Sequence, residues 1–483
     1  MNVFQFDLWS KKFCVDVESG NFFEVDKLAS DIIKLMPQLC RWEIIAALKA
    51  RHSLLKVAKA LDRLAILERK KMLFSCRQKP GPALKRKITD LTLNIVNTCN
   101  LSCRYCWNRQ GAYAKAAGSK KMMPPEVAFR AVDLLLEESR GTDDLVVDFY
   151  GGEPLLNFAL IKAVIAYCRK VEQKRKVHFR FLLATNGTLL NRERGEFLID
   201  NGVDIAVSLD GEKIIQDTQR PFPDGKGSYS VIMNNLNELR PAYRRRIVGR
   251  ATFTPLYPDI IKTFRFLRKL GFERIEVCES EKAGYGLESR SSFFFSGNRG
   301  LRQLKILYES LARFYTREII KGRLTYENTY FNRFFKQLSR LYHIQSIVGA
   351  CSAGFSLMAV DIDGKIYPCT AFVGIPQFNI GTIKSGVSEI KLKKFFAGRV
   401  SSGSSCSRCW ARRICRGCGS CYNLNYFSNK NLGHPDPYYC ELFRYKTQLM
   451  IGMIAKIGQE KPGRLNDLFI PEYYAARGNR KSG

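Results

Sequence analysis

The sequence predicts an α/β protein: a parallel sheet of six βα units, with a small β-ribbon-and-helix module ahead of it and a cysteine-rich segment behind. Three observations carry that prediction. From Asp90 to about Ser280, strand-like and helix-like patterns alternate regularly, as parallel strands joined by crossover helices do. Residues 1–75 place short strand-like pieces before a run of helical patterns. Eight of the sixteen cysteines crowd between Cys351 and Cys440.

The first element is the pair of strand-like pieces Val3–Leu8 and Lys12–Asp16, followed by the turn Glu18-Ser-Gly-Asn21 and by Phe22–Val25. Helical periodicity then covers Asp26–Met36, Trp42–Ala50 and Leu54–Lys71. A β-ribbon followed by helices suits a winged-helix-like module. Cys76–Lys87 contains Lys79-Pro-Gly-Pro82 and reads as a linker.

Six strands are expected next: Leu91–Val96, Leu145–Tyr150, His178–Thr185, Val203–Leu209, Ile247–Thr254 and Arg274–Cys278. Helices fall between them near Pro125–Ser139, Phe158–Lys174, Arg192–Asn201, Tyr229–Leu239 and Asp259–Leu270. Periodicity leaves open whether these units form a flat sheet or an incomplete barrel. Residues 300–343 read as two helical stretches, Glu441–Ile457 as another, and the tail 477–483 as loose. The expected units are 1–75, a linker at 76–88, a core at 89–300, a helical bridge at 301–345, a cysteine-rich domain at 346–450 and a terminal helix and tail at 451–483.

Polar signatures fall at the ends of successive strands. Cys99–Cys106 follows the first, Gly151-Gly-Glu-Pro154 the second, Thr185-Asn-Gly187 the third and Ser208-Leu-Asp-Gly211 the fourth. Parallel α/β folds build their sites at these C-terminal ends. Asn-Gly and Asp-Gly also form ordinary turns, but four signatures in succession exceed what turns alone require.

The first signature, Cys99-Asn-Leu-Ser-Cys103-Arg-Tyr-Cys106, puts three thiols on one loop. A cubane iron–sulfur cluster prefers four thiolates, so three leave one iron open to a small molecule. A zinc loop competes, but zinc sites normally show paired C-x2-C motifs and four protein ligands.

Composition narrows the class. Apolar content is 46% and charged content 25%, ordinary for a globular chain. No apolar run approaches the length of a membrane span, and the N-terminus lacks a basic region followed by an apolar core. The chain is therefore expected in the cytoplasm, with no membrane partner, and there clustered cysteines are metal ligands rather than disulfides. Cys14, Cys40, Cys76, Cys168 and Cys278 stand alone and are expected as small buried apolar residues. The 78 basic against 45 acidic residues give a charge of +33, a field that attracts nucleic acid or an acidic partner. The basic residues are nonetheless dispersed, and no arginine-rich tail or aromatic-interleaved stripe marks a nucleic-acid surface. Arg408, Arg412, Arg413 and Arg416 interleave with cysteines, where they would offset the negative charge of thiolate-bound clusters.

The cluster loop with Tyr105, the Gly-Gly-Glu-Pro turn and the strand-end pattern together make residues 90–280 resemble the core of radical S-adenosylmethionine (SAM) enzymes. That resemblance implies a partial (βα)6 barrel. It implies that Cys99, Cys103 and Cys106 hold a [4Fe–4S] cluster whose open iron binds SAM, and that Tyr105 sits against the adenine. Gly151, Gly152, Glu153 and Pro154 would bind the SAM amino group, and Asn186, Ser208 and Asp210 would neighbour the ribose and methionine carboxylate. Arg220 and Arg250 read by default as surface arginines.

The second cysteine group resembles a SPASM domain. Twelve residues separate Cys351 from Gly364, and four separate Gly364 from Cys369. Then come Cys406, Cys409, Cys415, Cys418, Cys421 and Cys440. The resemblance implies two auxiliary [4Fe–4S] clusters, three cubanes in all. The family usually has C-x3-C after the x5 spacing; here Cys415-Arg-Gly-Cys-Gly-Ser-Cys421 departs from it and leaves the assignment of Cys418 and Cys421 open. A zinc ribbon around Cys406, Cys409, Cys415 and Cys418 is the alternative.

Asp16–Asp26 and the helices to Ser75, with Cys106-Trp-Asn-Arg and Tyr438-Tyr-Cys-Glu441, resemble thioether-forming peptide maturases: the six-cysteine peptide maturases and the quinohemoprotein amine dehydrogenase maturation enzymes. In relatives the front module recognises a leader peptide, often as an added strand. One departure is Gln216-Asp217, where relatives often read His-Asp. The resemblance implies hydrogen abstraction from a ribosomally made, cysteine-containing peptide, a thioether product, and an electron donor such as ferredoxin or flavodoxin. Carbon–carbon cross-linking and formylglycine formation are the alternative outcomes, and an RNA-modifying protein is the alternative from another class.

Overall fold

The computed structural model describes residues 3–76, 86–106, 122–139, 141–281, 292–325, 351–399, 404–415 and 421–468, with Phe334 and Leu341. Cys418, Arg416, Trp107-Asn-Arg109, most of the 76–88 linker, the second helical stretch expected before 343 and the tail 477–483 lie outside them.

The front module opens with strands β1 (Val3–Leu8), β2 (Lys11–Asp16) and β3 (Phe22–Val25), antiparallel in the order β1-β2-β3. Leu8 pairs with Lys11, so the first hairpin has a two-residue turn. Trp9 and Ser10 both hold positive φ there, 51° and 64°, the conformation that matches strand twist. A tryptophan at positive φ needs support from outside the turn. Trp9 has it: its Nε1 donates to Glu309 at 3.2 Å and the Arg313 guanidinium lies 4.9 Å over its ring. Helices α1 (Lys27–Leu35), α2 (Arg41–Leu48) and α3 (Leu54–Arg69) follow. Asp26 caps α1 by accepting from the Ala29 amide at 2.7 Å. Ile32, Ile44, Val57, Leu61 and Leu64 close a small core with Val3 and Cys14.

The main sheet contains the six expected parallel strands: β4 (Asp90–Val96), β5 (Asp144–Gly151), β6 (His178–Thr185), β7 (Val203–Ser208), β8 (Val248–Phe253) and β9 (Arg274–Glu279). They are hydrogen-bonded in sequence order, as successive βα units dictate. Strands β5, β6 and β7 alternate, whereas β4 is buried on both faces. On β5, Leu145, Val147 and Phe149 are buried beneath the helices, while Val146, Asp148 and Tyr150 on the other face are half-buried. The covering helices are α4 (Pro125–Glu138), α5 (Phe158–Lys174), α6 (Arg192–Asp200), α7 (Lys213–Gln219), α8 (Tyr229–Glu238), α9 (Pro241–Arg246) and α10 (Ile260–Lys269). The sequence reading missed α7 and α9, whose seven and six residues are too short to show a helical period.

The cysteine-rich segment joins this sheet. β10 (Leu357–Val360) pairs parallel with β4, and β11 (Lys365–Tyr367), β12 (Gly381–Thr382) and β13 (Gly386–Val387) continue outward, making ten strands. Residues read as turn-rich thus form one continuous sheet with the core. The remaining helices are α11 (Gly297–Ile320), α12 (Glu389–Gly398), α13 (Ser404–Ser407), α14 (Tyr422–Asn429), α15 (Pro437–Glu460) and α16 (Pro462–Leu468). α15 starts ahead of the expected Glu441 because Asp436 caps it and Pro437 occupies its first turn. It also passes so close to β1 that a Cβ on Gly452 would sit 2.6 Å from Leu8 Cδ2. No helix among the described residues is long and apolar enough to cross a membrane.

Of the five isolated cysteines, Cys14 and Cys168 are buried and Cys278 half-buried, whereas Cys40 and Cys76 are exposed, contrary to expectation. Cys40 sits at the N-cap of α2, where its backbone amide donates to Glu43 at 2.7 Å; neither residue belongs to a core face.

Candidate functional site

The three-cysteine loop leaves β4 at the strand's C-terminal end. Backbone bonds tie it to the far side of the sheet: the Ser102 amide donates to Pro221 O at 2.8 Å and the Arg104 amide to Gln219 O at 2.9 Å. Cys103 is buried, and Cys99 and Cys106 are half-buried. Donors point at the sulfur atoms. The Leu101 amide lies 3.4 Å and Asn186 Nδ2 3.7 Å from Cys99 Sγ, and Arg220 Nη1 lies 3.9 Å from Cys103 Sγ. Burial pushes the Cys99 thiol up to about 12 against these donors. Cys103 is pushed up too, by burial, with Arg220 opposing it.

Arg220 is not a surface residue: its side chain is 11% exposed and its Nε meets Asp210 Oδ2 at 3.0 Å. Burial works to lower its pKa, yet Asp210, Tyr105 and Cys103 hold it well above the usual value. Asp210 is fully buried and both its oxygens are occupied. Oδ2 also accepts from Tyr105 Oη and from Gln219 Nε2 at 2.9 Å, and Oδ1 accepts from the Thr252 amide at 2.9 Å. The Arg220 guanidinium lies 5.2 Å over the Tyr105 ring. Asp210 therefore clamps the cluster loop to α7 and β8. Gln216, at the departure from His-Asp, supports the clamp by accepting the Asp210 amide at 2.9 Å and donating to Ser228 at 3.0 Å.

The Gly-Gly-Glu-Pro turn packs against the same loop. The Gly152 amide donates to Val96 O at 2.9 Å and the Glu153 amide to Thr98 O at 3.0 Å. Gly151 has φ +140°, and a Cβ there would lie 2.3 Å from Val96 O, so only glycine fits. Pro154 opens a 3-10 turn, and buried Glu153 braces β5 to β6: it accepts from Thr185 Oγ1 and the Asn186 amide, both at 2.7 Å, and from the Leu155 amide at 3.0 Å. Burial raises its pKa, and these three bonds oppose the rise. Asn186 Nδ2 also donates to Asn100 Oδ1 at 2.8 Å, and its Oδ1 accepts from Thr188. Ser208 ends β7 on the inward face, in register with Arg250.

The inward face is polar. Arg250 pairs with Glu276 at 3.4 Å, and Arg180 and Arg274 both meet Asp204, at 3.2 and 3.6 Å. Asp148 stands there beside Thr92, 3.5 Å away. Burial lifts its carboxyl to about 7 while Arg250 pulls it down, so this group can take or release a proton near neutrality.

The later cysteines fall into two places. Cys351, Cys369 and Cys421 lie together: burial, then Cys421 and Cys351, push the Cys369 thiol up, and burial with Cys351 brings Cys421 up to about 11. Arg399, which the sequence reading missed, gathers them. It is buried, donates to Cys351 O at 3.2 Å and Ala353 O at 3.0 Å, and lies 4.4 Å over the Tyr422 ring next to Cys421. Asn423 adds a bond to Ala371 O near Cys369. Cys406, in α13, and Cys409 and Cys415 just after it lie on one short segment: the Cys409 amide donates to Cys406 O at 3.2 Å and the Cys415 amide to Ala411 O at 2.7 Å. Cys440 lies in the first turn of α15. Among the described residues no three His, Cys, Asp or Glu side chains converge on a single-ion position.

Residues 93–267 match the radical SAM superfamily model. The chain carries a radical SAM domain. It is 25% identical over 361 residues to the cysteine-type anaerobic sulfatase-maturating enzyme of Clostridium novyi, covering 72% of this chain and 91% of that one. Its fold is shared with native anSMEcpe bound to AdoMet and the Cp18Cys peptide (TM-score 0.64, 19% identity, 78% of this chain and 99% of that one). It is shared also with SuiB of Streptococcus suis bound to the precursor peptide SuiA (TM-score 0.51, 14% identity, 91% and 98%).

The residues at the first loop fit the superfamily's cluster. Two of the loop's three sulfurs, Cys99 Sγ and Cys103 Sγ, already receive N–H donors, which iron–sulfur thiolates accept. Two residues before Cys99, buried Asn97 has no hydrogen-bond partner for either polar atom of its side-chain amide among the described residues, a cost that a bound polar group would remove.

Proposed function

We propose that this radical SAM enzyme is a peptide maturase that joins a cysteine sulfur to a carbon of the same peptide. The observation that carries the peptide substrate is the front sheet. Its β3 pairs only with β2 among the described residues, and an open strand edge accepts an extended peptide by main-chain hydrogen bonds. The other edge strand, β1, is engaged: Phe4 stacks on Trp410 with centroids 4.5 Å apart. The relatives above whose names carry a peptide or a maturated protein support the same class.

Cys99, Cys103 and Cys106 would hold the cluster, which with SAM would supply radical removal of hydrogen from carbon. The chain's own residues prepare that chemistry. Gly151 and Gly152 hold the turn flat against Val96, Glu153 keeps the ends of β5 and β6 together, and Asn186, Ser208 and Asn97 present polar groups around the loop. The Asp210 clamp fixes the loop and keeps Tyr105 turned inward. Asp148 is the inward carboxyl suited to accept a proton. In this reading Cys351, Cys369 and Cys421 serve one auxiliary cluster and Cys406, Cys409, Cys415 and Cys440 the other, with an acidic one-electron carrier of the ferredoxin or flavodoxin type as donor.

Forming a thioether removes two hydrogens from the peptide, one from carbon and one from sulfur. The test is anaerobic reconstitution with iron and sulfide, then reaction with SAM, dithionite and candidate precursor peptides. Mass spectrometry would follow 5′-deoxyadenosine and the peptide. Loss of two hydrogens with one thiol no longer alkylatable supports the thioether. The same loss with every thiol alkylatable assigns carbon–carbon coupling instead.

A further inference from the structure

We propose that Glu18, in the front module, is a positioning residue for the Cys406–Cys415 loop and sets the reduction potential of the cluster that loop would hold. The inference rests on reading those cysteines as cluster ligands. Glu18 lies in the turn between β2 and β3, its side chain only 5% exposed. It receives two guanidiniums from the other end of the chain. Arg412 Nη2 donates to Glu18 Oε1, and Arg413 approaches Oε2 through Nη2 at 3.2 Å and Nε at 3.3 Å. Both arginines lie between Cys409 and Cys415 in the loop itself.

The rest of the loop is held from the same side. Trp410 stacks flat on Phe4, with rings 3° from parallel, and Ala411 is fully buried. Arg412 is bound at both ends: its amide donates to Cys409 O at 3.2 Å and its Nη1 to the same oxygen at 3.3 Å. The guanidinium that Glu18 grips is therefore anchored to a cysteine's own backbone. Glu18 is anchored as well, because its turn is closed by the Ser19 amide on Asp16 Oδ1 at 2.8 Å and the Asp16 amide on Asn21 O at 2.8 Å. Two positive charges and one negative charge thus stand in fixed positions on the segment that carries the thiols, one of them bonded to the Cys409 backbone. Cluster potentials follow net charge and hydrogen bonding around the sulfurs. Removing the one negative charge while keeping its shape favours the more negative, reduced cluster, so the potential rises.

The test is an EPR-monitored potentiometric titration of the full-length, fully iron-loaded protein. The signal that changes on adding SAM reports the Cys99 loop, and the remaining signals report the auxiliary clusters. Glu18→Gln is expected to shift one SAM-insensitive midpoint positive and leave the SAM-sensitive one in place. Glu18→Asp, which keeps the charge, should return the shifted midpoint toward wild type. Glu24→Gln, which neutralises a partly exposed carboxylate of the same sheet paired to Lys11 at 2.9 Å, should leave all midpoints alone. Unchanged SAM-insensitive midpoints in Glu18→Gln, or an equal shift in Glu24→Gln, would overturn the proposal alone. A wild-type protein with no SAM-insensitive signal would instead remove the cluster reading beneath it.

Discussion

Replacing Asp210 with asparagine leaves the Arg220 guanidinium enclosed without its counter-charge. The pair is 3.0 Å apart, with side-chain exposures of 0% for Asp210 and 11% for Arg220. Breaking a buried pair from one side costs about 3–5 kcal/mol, because the surviving charge keeps its desolvation penalty without compensation. Asp210→Asn is expected near the lower end, since the amide oxygen still accepts the Thr252 amide. Arg220→Met should cost a similar amount by stranding the carboxylate. Asp210→Asn with Arg220→Met removes both charges, so its loss should fall short of the two single losses added together by about 1–3 kcal/mol. The assay is urea unfolding of the reduced, iron-free chain followed by circular dichroism, with iron binding measured in parallel. Because the clamp also holds Tyr105, both single variants should retain less iron at the first loop. Strictly additive losses, each below about 1 kcal/mol, would refute the clamp and return Arg220 to the status of a surface arginine.

Three further outcomes are expected. Gly151→Ala drives a Cβ to 2.3 Å from Val96 O; strain of about 1–3 kcal/mol falling on the turn should weaken SAM binding roughly tenfold with iron content preserved, as read by calorimetry and iron analysis. The Asp148 carboxyl is raised from 3.8 to about 7, so the folded chain holds that proton more tightly than the unfolded one. Its contribution is present at low pH and is lost as pH rises from about 4 to 7. Asp148→Asn should flatten that decline, which amounts to about 4 kcal/mol at most; an unchanged pH profile of urea midpoints counts against it. Finally, Cys351→Ala with Cys369→Ala should remove about four irons per chain. Adding Cys421→Ala should remove no more if the three thiols share one cluster, whereas loss of a second set of irons would place Cys421 with Cys406.

Much of the core was readable from short-range patterns. Alternation placed all six parallel strands to within about a residue at either end, and His178–Thr185 and Phe158–Lys174 match the structure residue for residue. The cluster loop and the Gly-Gly-Glu-Pro turn were equally visible, because a cubane and a tight turn demand particular residues at fixed spacing. The short helices α7 and α9 escaped because a helical period needs more residues than they contain. Arg220 escaped because an isolated arginine carries no local sign of burial; only the meeting of α7 with Asp210 and the cluster loop gives it a partner.

The sequence by itself determined the chemistry on offer: three thiols on one loop, a glycine turn behind a strand, and a second store of cysteines. These depend on neighbours a few residues apart, where spacing alone sets geometry. Tertiary structure decided how the distant parts meet. β10 joins β4 by a parallel ladder pairing Leu357 with Asp90, to which Asn94 adds a side-chain bond to Val360 O across 266 residues, and Arg399 bonds Cys351 while lying over Tyr422 beside Cys421. Glu18 meets Arg412 across 394 residues. Such pairings are set by which buried surfaces and charges find one another once the chain has folded, and no local period of the sequence encodes them.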